Sequence, residues 1–99
     1  MFVALEHLIR LEEGYRRVFQ IDRRHYLLIV VENQPILLEN SCPHQGASLH
    51  NATLDGRVLR CARHGMAFDL HRGVALDSNC PPLRLLPLAY DGDRVGLDL

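Results

Sequence analysis

Cys42-Pro43-His44 and Cys61-Ala62-Arg63-His64, with sixteen residues between them, place one thiol and one imidazole in each of two short stretches. Two soft sulfur donors and two imidazoles are a metal-binding set, and Cys42, His44, Cys61 and His64 are the candidate ligands. Tetrahedral zinc accepts the same side chains. A zinc finger, however, pairs its cysteines closely and then presents its histidines from a helix, whereas here each stretch supplies one of each. That division suits a [2Fe–2S] cluster with one iron on two cysteines and the other on two histidines, a ligation that raises the potential above that of an all-cysteine cluster. The first functional expectation is one-electron transfer.

Between the two stretches, Thr53-Leu54-Asp55-Gly56-Arg57-Val58-Leu59-Arg60 carries a hairpin signal at Asp55-Gly56. A hairpin there folds the second stretch back beside the first and lets four distant side chains meet. Further out, Tyr26 to Val31 and Ile36 to Glu39 are β-rich runs, with Asn33-Gln34-Pro35 as the expected turn. Arg16 to Ile21 reads as an earlier strand that turns at Asp22-Arg23-Arg24. Phe68-Asp69-Leu70 alternates ahead of a turn at Arg72-Gly73. Leu85 to Tyr90, Asp91-Gly92 and Arg94 to Leu99 read as a closing hairpin, with Val95, Leu97 and Leu99 on one face. Leu5, Leu8 and Ile9 fall at helical spacing, enough for one helical turn at most between Leu5 and Leu11. The expected fold is all-β, an antiparallel sandwich or barrel with the site on loop tips at one end.

A chain of 99 residues has room for one domain, 1–99, and no second core. At this size a bound group tying two loops together contributes to folding as well as function. The net charge of −1, from 11 arginines (no lysine) and 12 acidic residues, offers no basic excess for nucleic acid. Three cysteines, two of them at ligand spacing, do not make the disulfide framework of a secreted domain. The apolar start Met1 to Leu5 is too short for a signal or a membrane span. The expectation is a soluble cytoplasmic protein without membrane partner.

Taken together, Cys42-Pro43-His44-Gln45-Gly46-Ala47 with Leu49, Cys61 to Gly65, Phe68-Asp69, Gly73 and Pro81-Pro82-Leu83 resemble the Rieske family over nearly the whole chain. The nearest likeness is to soluble Rieske-type ferredoxins of multicomponent ring-hydroxylating oxygenases. That resemblance implies a cluster-binding subdomain of approximately residues 40–83, holding one [2Fe–2S] cluster. Cys42 and Cys61 would bind the inner iron, and His44 and His64 the outer one. It implies an electron carrier with no catalytic residues, fed by an NAD(P)H-dependent flavin or iron–sulfur reductase and discharged by a terminal dioxygenase component. A monomer is expected, because transient electron-transfer contacts are small. The alternative is a bound small subunit of an oxidoreductase such as nitrite reductase.

Departures from the pattern refine this expectation. High-potential Rieske proteins carry a further cysteine in each loop, where Ala47 and Arg63 stand here, and Ser and Tyr hydroxyls near the cluster, where Met66 and Phe68 stand. Fewer donors to the sulfurs stabilise the reduced state less, which places the potential at roughly −150 to 0 mV. Gly46 and Gly65 are expected to offer N–H groups to the cluster sulfurs. With neutral imidazole ligands, reduction is expected to couple to proton uptake at high pH. Ala62 and His50-Asn51 also differ from the usual residues without touching a ligand. Cys80 reads as a buried thiol or a redox-sensitive one, and His50 and His71 as surface or supporting residues. His7 and His25 carry no signal. Arg57, Arg60 and Arg63 form either a docking patch for an acidic partner or a solvated face. Phe68 and Tyr90 read as core residues, and Asp69 as a turn stabiliser.

Overall fold

The computed structural model describes residues 1–43, 46–62, 65–76 and 80–99. Among them the strands follow in the order β1 (Phe2–His7), β2 (Arg16–Ile21), β3 (Arg24–Val31), β4 (Gln34–Glu39), β5 (Thr53–Asp55), β6 (Val58–Arg60), β7 (Ala67–Asp69), β8 (Leu85–Leu86), β9 (Ala89–Asp91) and β10 (Arg94–Asp98). They pair antiparallel in three sheets, β1-β10-β9, β2-β3-β4-β8 and β5-β6-β7.

The unbroken apolar run of β3 determines the layering. A strand with water on one face alternates, whereas Tyr26 to Val31 are all buried. Their alternate side chains serve two cores. Leu27, Ile29 and Val31 pack with Leu59, Phe68, Leu70, Cys42 and Cys61, whereas Tyr26 and Leu28 pack with Val95 and Leu97. The four-stranded sheet is therefore the middle layer, with β1-β10-β9 against one face and β5-β6-β7 against the other.

Strand ends show where local chemistry overrides pattern. The β3–β4 turn falls at Glu32-Asn33, one to two residues before the expected Asn33-Gln34-Pro35, and Pro35 sits within β4 opposite Val30. Both turn residues have positive φ, 53° and 61°, in the manner of a tight hairpin turn. The Glu13 carboxylate accepts both of their N–H groups, at 3.0 and 2.7 Å, which holds the turn without glycine. The expected strand Leu85 to Tyr90 divides at Pro87-Leu88: β8 joins β4 and β9 joins β10. Proline has no N–H for a ladder, and the chain changes sheets there. The expected helical turn is a 3-10 turn at Leu8–Arg10, and the residues before it extend as β1. Tyr90 is not a core residue: it is 58% exposed on the short edge strand β9. Phe68 is fully buried as expected.

Candidate metal centre

The described residues of the two ligand stretches are closed by the same pair of backbone hydrogen bonds. In the first, the Cys42 N–H donates to the Ala47 carbonyl at 2.7 Å and the Gly46 N–H to the Cys42 carbonyl at 2.7 Å. In the second, Cys61 donates to Met66 at 2.8 Å and Gly65 to Cys61 at 2.9 Å. Each glycine stands four residues after its cysteine, with φ of 74° and 69°, a conformation other side chains rarely adopt. The expected role of these glycines is thereby corrected. Their N–H groups donate to the cysteine carbonyls and close the loops, in place of the expected donation to cluster sulfurs.

Both cysteines are 1% exposed and belong to one core, in contact with the cluster of Leu49, Leu59, Phe68 and Leu70. His44 and His64, with Gln45 and Arg63, lie outside the described residues. Two buried thiols on twin loops, facing one apolar layer, fit a cluster whose inner iron takes sulfur ligands.

Scaffolding beyond the loops holds them against the middle sheet. Asn40 Oδ1 accepts the Leu49 N–H at 2.8 Å and its Nδ2 donates to Ser48 Oγ at 3.0 Å, closing the first loop at its base. Arg16, at the start of β2, donates to the carbonyls of His50 and Ala52 at 2.8 and 2.7 Å. These two polar anchors gave no sequence signal, since neither lies in a ligand motif. Asp69 Oδ1 accepts the N–H groups of His71 (3.0 Å) and Arg72 (3.4 Å), which is the turn role expected of it. Arg57 pairs with Glu32 at 3.3 Å, while Arg60 donates to the Gly65 carbonyl at 2.7 Å. Thus two of the three candidate docking arginines are engaged within the fold, and Arg63 is outside the described residues. Cys80 is half-buried, and Pro81 and Pro82 line an open cleft of about 380 Å³ with Pro43 and Ser41 beside the first loop.

Residues 2–87 match the family of the Rieske [2Fe–2S] domain. The chain belongs to that family. The naphthalene 1,2-dioxygenase system ferredoxin component of Pseudomonas aeruginosa is 29% identical over 93% of this chain and 89% of its own. Among solved structures, the Sphingomonas yanoikuyae B1 ferredoxin superposes with a TM-score of 0.85 at 23% identity, covering 100% of this chain and 99% of its own. A chain in a complex of reduced oxygenase and oxidized ferredoxin of carbazole 1,9a-dioxygenase gives 0.80 at 27% identity, over 94% of this chain and 97% of that one. This Rieske domain carries one [2Fe–2S] cluster and is a ferredoxin, an electron carrier rather than the catalytic member of an oxygenase system.

Proposed function

We propose that Cys42, His44, Cys61 and His64 hold the cluster, and that the chain passes single electrons from an NAD(P)H-dependent flavin or iron–sulfur reductase to a terminal ring-hydroxylating oxygenase. The observation that carries this reading is the matching pair of hydrogen-bonded closures beside two buried cysteines. The bound cluster supplies reversible one-electron storage. The chain's own residues supply position. Gly46 and Gly65 close the loops, Asn40 and Arg16 anchor the first of them, and the two cores keep the sheets from moving between redox states. A site that changes shape little needs little reorganisation when an electron arrives or leaves. The working unit is one domain, 1–99, with its cluster-binding part at about residues 40–83. It acts as a soluble cytoplasmic monomer that meets reductase and oxygenase in turn. No helix of the described residues is long and apolar enough to cross a membrane, in keeping with that reading.

Substitution at the cysteines tests the ligand set. Cys61→Ser is expected to lose the two irons, two labile sulfides and the visible absorption, while Cys80→Ser keeps all of them. Retention of a full cluster by Cys61→Ser, or its loss only in Cys80→Ser, would overturn the assignment.

A further inference from the structure

The two ligand loops share their closing hydrogen bonds but differ in the side chain that backs them. Directly before Cys42 stands Ser41, and directly before Cys61 stands Arg60. A Cβ placed on Gly46 would lie 3.8 Å from Ser41 Oγ, so the serine sits at the back of the first loop. At the matching place in the second loop, Arg60 Nη1 donates to the Gly65 carbonyl at 2.7 Å. The Gly65 N–H is directed inward to Cys61 and its carbonyl outward to the guanidinium. Gly65 also follows His64 in the chain. Among the described residues the first loop is thus backed at its glycine by a neutral hydroxyl, with Arg16 reaching only its flank at His50 and Ala52, whereas the second carries a permanent cation on the carbonyl of its closing glycine. Among the described residues no carboxylate pairs with Arg60, whereas Arg57 on the same hairpin is paired with Glu32.

We propose that Arg60 is a positioning residue of the electron-transfer site, which fixes the Gly65 end of the second ligand stretch and sets a positive charge on that carbonyl, favouring the reduced state. The inference rests on the ligand assignment above. Reduction adds one negative charge to the site, and a fixed cation nearby stabilises the product of that step more than its precursor. The guanidinium is always charged, so the effect does not vary with pH in the working range. Because Arg60 is exposed, salt screens the effect. Ser41 provides no such charge at the first loop's glycine, where Arg16 reaches only the flank at His50 and Ala52.

The test is a reduction-potential titration of the cluster-loaded protein, with iron and labile sulfide measured on each sample. Arg60→Gln is expected to shift the reduced-to-oxidised ratio at fixed potential about three- to tenfold toward the oxidised state. That corresponds to about 30–60 mV at 59 mV per tenfold for one electron. Arg60→Lys keeps the charge and is expected to stay within about twofold of the parent, as is Arg57→Gln. The gap between parent and Arg60→Gln is expected to narrow as ionic strength rises. Loss of the cluster from Arg60→Gln with retention in Arg60→Lys also supports the charge. An unshifted Arg60→Gln, or an Arg60→Lys that falls as far or also loses its cluster, would overturn the proposal while leaving the ligand assignment intact. A parent without two irons and two sulfides would overturn the ligand assignment itself.

Discussion

Glu6 is the one charged residue among the described core, 6% exposed. Its carboxylate accepts the His7 N–H at 2.9 Å and the Tyr15 hydroxyl at 2.8 Å, with Arg17 at 3.5 Å and Arg10 at 3.8 Å. The His7 N–H, then the Tyr15 hydroxyl and the two arginines, hold the carboxyl below its ordinary 4.5 against the opposing effect of burial. A depressed folded-state value means that the stabilisation is complete above about pH 4.5 and is lost as pH falls through the lower value. Tyr15 is pushed up to about 12, by its own burial first and then by the bond to Glu6. Its contribution is complete below about pH 10 and lost as pH rises through 12. Glu6→Gln is expected to cost about 1–3 kcal/mol at pH 7 by denaturant titration. The gap to the parent should close toward pH 3.5, and the 295 nm titration of Tyr15 should move back toward 10. Equal sensitivity of both proteins to acid would contradict this account of the carboxylate.

At the scale of elements, β1 shows why part of the fold was hidden in the sequence. Its register slips between Ala4 and Glu6, leaving Leu5 as a bulge, and the buried position that follows carries a glutamate. Alternation is therefore broken where a reader would look for it. Its partner β10 lies at the other end of the chain, and local pattern does not specify a long-range pairing. Gly96 of β10 faces Ala4 across this pair, and a methyl group there would run into the Val3 carbonyl. Gly96→Ala is expected to destabilise the domain by about 1–3 kcal/mol, measured by thermal or denaturant unfolding. Wild-type stability would show that the β1–β10 approach is looser than the structure has it. By contrast, β3 was legible as a strand because its apolar run is short and rich in β-branched residues, and the Asp55-Gly56 and Asp91-Gly92 signals located their hairpins to within a residue. The break at Pro87 was visible as a proline, but its meaning, a change of sheet, depends on which strands stand beside β8 and β9.

For the whole molecule, the family was the most legible part, because residues 2–87 match the Rieske [2Fe–2S] domain that the spacing of sulfur and imidazole suggests. What the motifs left out is the support around them. Asn40, Arg16 and Arg60 act through backbone carbonyls and amides that only the folded chain brings within reach. The glycines stand out in the sequence, but the partner of each N–H, a cysteine carbonyl, is a matter of direction that residue identity does not carry. Cys42 and Cys61 belong to the same core as Leu27, Ile29 and Phe68, so the proposed sulfur ligands and the packing of the outer sheet are one structure. The most direct measurement of the central claim is electron paramagnetic resonance of the dithionite-reduced protein, with iron, labile sulfide and zinc assayed on the same sample. The account predicts a rhombic signal of low average g, with about two irons and two sulfides per chain. A silent sample carrying stoichiometric zinc, reproduced after anaerobic preparation and reconstitution, would contradict it.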